Sequence, residues 1–233
     1  MKQGKRFYIN ITNRCNTNCP FCCMYSGMEN NLDMGFETFK EIIDGGSQTF
    51  ELQLEGGEPL LHPFLYLFLE YAASKENCKK IIILTNGILL DNDLKRIADF
   101  SVYHKIEVEL KISINYWLIK VHKDHINQIK RYIFDIAFIP TMKITCNVRL
   151  RKEDTKIGSE IKEDKILAPC SNIFYLQSYG RLMDNDDYEK PVIVQNIEEW
   201  AVYAVDGTNF GMDLVGRSEH EHKIQMEGNH EYD

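Results

Sequence analysis

The stretch FYINITNRCNTNCPFCC, residues 7–23, joins a strand-like run to four closely spaced cysteines. Its first six residues are mostly aromatic or β-branched, which favours a strand. The cysteines follow where that strand ends, and they are four of the seven in the chain. Cysteines at this density indicate a disulfide framework, a zinc site or an iron–sulfur cluster.

The composition favours a cytoplasmic globular protein in which these thiols bind metal. Hydrophobic residues make up 44% and charged residues 27% of the 233 residues, which is ordinary for a globular chain. No apolar stretch approaches the roughly 20 residues that span a bilayer, and the N-terminus lacks the features of a signal peptide. Cytoplasmic thiols stay reduced, which favours metal over disulfide. The net charge of −8 argues against a nucleic-acid or membrane-surface partner.

Strand and helix patterns alternate as far as residue 150. Strands are predicted at 7–12, 50–57, 79–87, 105–115, 134–140 and 142–150, and helices at 34–46, 62–75, 91–100 and 120–133. This alternation predicts βαβ units, right-handed crossovers and a parallel sheet. About six strands are too few for a closed eight-stranded barrel, so we expect a curved partial barrel.

The pattern changes after residue 150. Residues 151–165 are charged and predict a surface loop, residues 173–183 predict a hairpin that turns near Gly180, and residues 220–233 predict a polar, loosely ordered tail. We therefore expect a barrel domain at 1–150 and an appendage at 151–233.

Polar residues follow each of the first four predicted strands. They are the cysteines, EGGEP (55–59), TNG (85–87) and SIN (113–115). The carboxyl ends of parallel strands meet at one edge of the sheet, where α/β proteins form their sites. The sequence thus predicts one site built from four clusters.

Two of these clusters resemble the motifs of a known family. CNTNCPFC (15–22) resembles the CxxxCxφC loop of the radical S-adenosylmethionine (SAM) superfamily, where φ is aromatic, and GGEP (56–59) resembles its second motif. Together with LTNG (84–87), they resemble the branch that modifies peptides and proteins. The resemblance covers residues 7–150. It implies a partial (β/α)6 radical SAM barrel with a short C-terminal β-hairpin extension.

The resemblance implies a [4Fe–4S] cluster held by Cys15, Cys19 and Cys22. Three thiolates can hold three irons and leave the fourth open, as a catalytic metal requires. In the family, SAM fills that position, and reductive cleavage gives a 5′-deoxyadenosyl radical that abstracts hydrogen from a substrate.

The second motif implies contacts to SAM. Gly56 and Gly57 allow close approach of the backbone, Glu58 can accept bonds from the SAM ammonium, and Pro59 completes the motif.

Further residues carry over as SAM contacts. Phe21 corresponds to the aromatic residue beside the adenine. Ser113 and Asn115 match a polar pair near the ribose and carboxylate, and Asn86 lines the same edge. The branch often has Ser-x-Asp at the pair, so Asn115 departs from it by placing a neutral amide there.

Several of the cysteines have more than one interpretation. A zinc knuckle would explain the cysteine loop but not GGEP, and Cys23 could replace Cys22 in a shifted register. Cys146 is either a small buried hydrophobe or a hydrogen-atom donor to a substrate radical, as in some family epimerases. Cys170 stands alone in the extension, where Asp184 and Asn185 occupy the place of a second cysteine, so an auxiliary cluster is not expected.

The implied function is that of a radical SAM enzyme acting on a ribosomal peptide or a protein side chain. The alternatives are rearrangement of a small molecule, such as a nucleoside or heterocycle, and a non-catalytic iron–sulfur or metal-binding module. The expected partners are the substrate and an electron donor such as flavodoxin or ferredoxin.

Overall fold

The computed structural model describes residues 5–191 and 200–228. The strands in these ranges are β1 (Lys5–Thr12), β2 (Phe50–Gly56), β3 (Cys78–Thr85), β4 (Glu107–Asn115), β5 (Met142–Leu150), β6 (Ser171–Tyr175) and β7 (Trp200–Tyr203). The helices are α1 (Phe36–Asp44), α2 (Leu65–Ala73), α3 (Leu90–His104), α4 (Tyr116–Val121), α5 (His125–Asp135), α6 (Thr155–Glu163) and α7 (Leu214–Gly228). Of the helices in the described ranges, none combines the length and the apolar character needed to cross a bilayer.

The strands form one sheet in the order β6-β5-β4-β3-β2-β1-β7. Strands β1 to β6 therefore lie side by side in the order of the sequence, with helices in the connections. This arrangement confirms the predicted α/β class and partial (β/α)6 barrel. The chain divides into two compact units. The first contains the residues up to 81 together with those from 177 onward, and the second contains residues 82–176.

The first unit is built around β1. This strand pairs in parallel with β2 on one side and with β7 on the other. Ile9, Asn10 and Ile11 are all fully buried, and because successive side chains of a strand point to opposite faces, β1 is covered on both faces, as expected for a parallel strand. Helices α1 and α2 pack against each other through Phe39 and Phe68, whose stacked ring centroids are 4.1 Å apart.

The second unit is built around β5, which pairs in parallel with β4 and β6. The register places Ser113 opposite Asn147 and Cys146 opposite Ser171. Ile112, Ile114 and Val148 are fully buried and form part of its core.

Two of the local predictions are wrong. Residues 134–140 are not a strand, because α5 continues to Asp135 and the apolar side chains of Phe134 and Phe138 are exposed rather than buried. Residues 151–165 are not a loop, because they contain α6, which anchors itself through the buried Ile161.

The hairpin predicted near Gly180 is also wrong. Strand β6 bonds to the edge of β5, and the chain then forms a 3-10 turn at Gly180–Leu182 instead of a returning strand. Every residue of β6 pairs with the edge strand β5. The backbone hydrogen bonds of β6 therefore do not require a returning strand.

The predicted loose tail is in part the helix α7. Its buried side chains are polar, and they are Arg217, Ser218, Glu221 and Gln225. A helix with a polar buried face lacks the apolar periodicity that reveals helices in a sequence. Residues 229–233 lie outside the described residues.

Candidate active site

The cysteine loop, residues 13–35, joins β1 to α1 and carries the predicted cluster ligands. Thr17 brings two of them together, because its hydroxyl lies 3.3 Å from the sulfur of Cys15 and 3.6 Å from that of Cys19. Cys15 is buried, and Cys19 and Cys22 are half-buried. None of the described cysteines forms a disulfide.

The environment of these sulfurs fits a metal cluster. Burial raises the pKa of Cys19 to about 12, and burial also raises the pKa of Cys22, partly offset by backbone N–H groups of Met24 and Ser26. A free thiolate is therefore unfavourable here, whereas a bound metal supplies positive charge and deprotonates its thiols outright. The loop gathers three thiols where iron would stabilise their ionised form.

The metal-binding side chains lie farther apart than the ligands of a single metal ion. Across the described ranges, no three Cys, His, Asp or Glu side chains lie close enough to hold one metal ion. Each thiolate of a four-iron cube binds a different iron, so the ligands of a cube are farther apart than those of one ion.

The GGEP motif is hydrogen-bonded to the residues that lead into the cysteine loop. The N–H of Gly57 donates to the carbonyl of Thr12 at 2.7 Å, and the N–H of Glu58 donates to the carbonyl of Arg14 at 2.8 Å. The two family motifs are thus fixed to each other through the backbone.

The paired glycines are required by this contact. A β-carbon at Gly56 would lie 1.8 Å from Oδ1 of Asn10, and one at Gly57 would lie 2.1 Å from the carbonyl oxygen of Arg14. Gly56 also has a φ of +129°, which favours glycine. The sequence predicts that the paired glycines allow the backbone to approach a cofactor closely. In the structure, they allow the backbone of the GGEP motif to approach β1 and the cysteine loop.

Glu58 and Pro59 begin the 3-10 turn that follows β2. Glu58 is completely buried, and its Oε1 accepts a bond of 3.2 Å from the N–H of Leu60. Pro59 occupies the first position of the turn, where a missing N–H costs nothing. Phe21 is half-buried in the cysteine loop, next to Cys22.

The predicted site residues of the second unit have local structural partners. Oδ1 of Asn86 accepts from the N–H of Ile88 at 3.0 Å, and Oδ1 of Asn115 caps α4 by accepting from Leu118 at 2.9 Å. The carbonyl of Ser113 lies 2.9 Å from Nε2 of His125. Capping needs an acceptor oxygen but no charge, which explains how an amide serves at position 115.

Cys146 has a neighbour that the sequence does not predict. It is completely buried, and its sulfur lies 3.9 Å from that of Cys170. The sequence places these residues on a strand and in an extension, whereas the pairing of β5 with β6 brings them together.

The sequence motifs do not reveal the residues after position 180 that support the cysteine loop. Arg181, Ser218 and Gln225 all donate to backbone carbonyls of that loop. In addition, Arg217 forms a buried ion pair with Glu55, at 2.6 Å between Nη1 and Oε1. Polar residues at 217, 218, 221 and 225 share one side of a helix, which is the signal that could have indicated these contacts.

Comparison with known proteins agrees with the motifs. The family model described as the Radical SAM superfamily matches residues 9–125. GTP 3′,8-cyclase of Thermodesulfovibrio yellowstonii is 33% identical over 88 residues, which are 35% of this chain and 27% of that protein. The antilisterial bacteriocin subtilosin biosynthesis protein AlbA of Bacillus subtilis is 36% identical over 84 residues, which are 34% of this chain and 18% of that protein. Each alignment covers less than a third of the relative's own length.

A solved structure shares the fold. Streptococcus suis SuiB bound to precursor peptide SuiA superposes with a TM-score of 0.52 and 14% identity, over 82% of this chain and 43% of that chain. The family match covers half of the chain and contains both motifs. The chain belongs to the radical SAM superfamily, a family of enzymes that use a [4Fe–4S] cluster and SAM.

Proposed function

We propose that Cys15, Cys19 and Cys22 hold a [4Fe–4S] cluster and that SAM binds at its open iron. The support is the donor set: the hydroxyl of Thr17 lies against the sulfurs of Cys15 and Cys19, and burial raises the pKa of Cys19 and of Cys22, so the ionised forms of these two need a nearby cation. The register with Cys22 is favoured over that with Cys23, because it keeps the spacing of the family's CxxxCxφC loop.

One observation carries the assignment of the SAM site. Gly57 and Glu58 are bonded through their N–H groups to the carbonyls just before Cys15. A cofactor that bridges the cluster and the GGEP motif would therefore meet two segments whose spacing is fixed. In this proposal Glu58 accepts from the SAM ammonium, Phe21 lies beside the adenine, and Gly56, Gly57 and Pro59 shape the backbone. Asn86, Ser113 and Asn115 are proposed as SAM contacts on the family resemblance alone.

When bound, the reduced cluster and SAM supply a 5′-deoxyadenosyl radical that abstracts a hydrogen atom from the substrate. The chain's residues bind and orient these groups and keep water from them. Cys146 is proposed as a donor that returns a hydrogen atom to the substrate, and a flavodoxin or ferredoxin is the proposed source of electrons.

We propose a ribosomal peptide or a protein side chain as the substrate. The support is the similarity to AlbA, a subtilosin biosynthesis protein, together with the motif resemblance to the peptide-modifying branch. A small-molecule substrate is the second candidate, because GTP 3′,8-cyclase shows comparable identity over a segment of similar length.

The cluster assignment is tested by anaerobic reconstitution with iron and sulfide. Wild-type protein should become brown and absorb near 400 nm, and a variant with Cys15, Cys19 and Cys22 all replaced by Ala should not. Cys23→Ala is the matched control and should load like the wild type. Equal iron in the triple variant and the wild type would refute the assignment.

The substrate class is tested separately with the loaded protein, dithionite and SAM. Slow release of 5′-deoxyadenosine should be detectable by chromatography, and GTP should not accelerate it. Acceleration by GTP, with conversion of the nucleotide, would favour the small-molecule alternative and overturn the peptide proposal.

A further inference from the structure

The backbone of the cysteine loop depends on partners from elsewhere in the chain. Residues 19–26 contain no regular helix or strand, so their carbonyls lack the partners that secondary structure would supply. Five consecutive carbonyls, those of residues 22 to 26, accept bonds from residues beyond 180. The loop therefore takes its shape from the C-terminal part of the chain.

Arg181 makes the largest share of these contacts. Its Nη1 donates to the carbonyl of Cys19 at 2.8 Å, and its Nη2 donates to those of Tyr25 and Ser26, both at 3.0 Å. Its backbone N–H donates to the carbonyl of Cys22 at 3.1 Å. One residue thus bonds to four carbonyls, two of which belong to the proposed cluster ligands Cys19 and Cys22.

The turn that presents Arg181 is itself fixed against the loop. The hydroxyl of Tyr25 donates to the carbonyl of Gly180 at 2.8 Å. Gly180 has a φ of +64°, and a β-carbon there would lie 2.4 Å from Cα of Cys23. Only glycine allows this approach, so the position of the guanidinium is set on both sides.

Helix α7 completes the support. The hydroxyl of Ser218 donates to the carbonyl of Cys23, and Nε2 of Gln225 donates to that of Met24 at 2.9 Å. These contacts lie between the carbonyls that Arg181 binds, so the two elements together hold an uninterrupted stretch of the loop.

Arg181 also brings charge to a stretch that has none of its own, since residues 19–26 include no Asp, Glu, Lys or Arg. The guanidinium is always protonated, and its planar fork suits several acceptors at once. Adding an electron to a cluster makes it more negative, so a fixed cation nearby favours the reduced state.

We infer that Arg181 is a positioning residue, which holds the cysteine loop in the geometry that binds the cluster and, through its charge, makes that cluster easier to reduce. This inference rests on the proposed function, since it assigns a role toward the cluster at Cys15, Cys19 and Cys22. It gives the segment after residue 177 a task in supporting the cluster rather than in contacting a substrate.

The test compares Arg181→Gln, Arg181→Lys and the control Arg131→Gln. Arg131 is an exposed arginine on α5 that pairs with Asp91. Lysine keeps the positive charge, but its ammonium group lacks the planar fork with which the guanidinium of Arg181 bonds to three carbonyls. Reconstituted proteins are titrated with dithionite and mediators while the reduced EPR signal is followed, and cluster loss to a chelator is timed by absorbance.

Arg181→Gln should shift the midpoint potential to a more negative value, and Arg181→Lys should stay nearer to the wild type. Removing an outer-shell partner of a metal ligand lowers metal affinity roughly 10–100-fold, and both variants should therefore lose the cluster to the chelator faster than the wild type does. Arg131→Gln should match the wild type in both measurements. Unchanged potential and unchanged loss rate in Arg181→Gln would overturn the inference, and a shift in Arg181→Lys equal to that in Arg181→Gln would overturn the role of charge.

A measurement without iron separates this inference from the proposed function. In the iron-free protein, alkylation of Cys22 followed by mass spectrometry should be faster in Arg181→Lys than in the wild type, because the loop loses the bonds of the guanidinium while the positive charge, which lowers the pKa of Cys22, is kept. If wild-type protein assembles no cluster, the proposed function fails, and faster alkylation would still uphold the positioning role. Equal alkylation rates would overturn that role whatever the iron content.

Discussion

The sulfur of Cys146 lies 3.9 Å from the sulfur of Cys170, although 23 residues separate them in the sequence. Cys146 is completely buried in β5, and Cys170 is half-buried at the end of the 3-10 turn just before β6. A hydrogen bond from the Cys146 thiol lowers the pKa of Cys170 and raises that of Cys146, while burial opposes the shift at Cys170. The pair therefore contains one thiol that ionises easily and one that does not.

Cys170 should react with iodoacetamide faster than Cys78 at neutral pH. The thiolate is the nucleophile, the pKa of Cys170 is lowered, and burial raises the pKa of Cys78 to about 12. The alkylation rate of Cys170 should rise with pH and reach its plateau at a lower pH than that of an ordinary thiol, whose pKa is about 8.5. Site-resolved mass spectrometry measures both rates in one sample.

Cys146→Ala should slow this alkylation near pH 7, because the thiolate of Cys170 loses its donor and its pKa rises. The sulfur of Cys170 also lies 3.3 Å from the carbonyl oxygen of Leu167, to which the protonated thiol could donate a hydrogen bond. If that contact dominates, the rate at Cys170 will not respond to Cys146→Ala, and the assigned direction of the hydrogen bond is wrong.

Glu58→Gln should weaken SAM binding more than cluster assembly. The substitution removes a charge-assisted bond worth roughly 1.5–3 kcal/mol, about tenfold to a hundredfold in affinity. The amide still offers an oxygen to the N–H of Leu60, which Oε1 accepts in the wild type, so the local fold should persist. Equilibrium dialysis with labelled SAM measures the affinity, and the exposed Glu70→Gln is the control. Unchanged affinity would place Glu58 outside the SAM site.

The reconstituted protein should hold one four-iron cluster per chain, and SAM should perturb its entire reduced EPR signal. A second cluster would need several more thiolates. The structure brings together Cys146 and Cys170, whereas Cys78 lies at the start of β3 and Cys23 belongs to the cysteine loop. About eight irons per chain, or a second signal that ignores SAM, would contradict this expectation.

Gly57→Ala should destabilise the iron-free protein. The added carbon would lie 2.1 Å from the carbonyl oxygen of Arg14, so the end of β2 must move away from the cysteine loop. We expect a loss of roughly 1–3 kcal/mol in the free energy of unfolding, as for other overpacked sites, measured by urea denaturation. Gly45→Ala is the control, because Gly45 has a right-handed helical conformation that alanine adopts freely and its added carbon would meet no atom nearer than 3.4 Å. Equal midpoints for the two variants would show that β2 relaxes without cost.

The sequence was sufficient for the elements whose apolar residues face a core. Strand β1 and helix α2 were predictable because their buried side chains, such as Ile9 and Phe68, are apolar and regularly spaced. Helix α7 was not, since its buried residues are Arg217, Ser218, Glu221 and Gln225. In the candidate site, the cysteines and GGEP could be recognised from their local spacing alone. The contacts of Arg181 could not, because Arg181 lies 155 to 162 positions along the chain from the residues whose carbonyls its guanidinium binds.

That separation has a consequence for the order of events during biosynthesis. The cysteines leave the ribosome before Arg181 and Gln225 do, because they precede both residues in the sequence. Contacts between distant residues form late in folding, because the entropy of closing a long loop must be overcome first. Until then the carbonyls of residues 22, 23, 24 and 26 lack these donors, and that of Tyr25 has Nδ2 of Asn30 but not Arg181. Iron delivered to a nascent chain would meet three cysteines without their scaffold, so cluster insertion belongs after translation has passed residue 225.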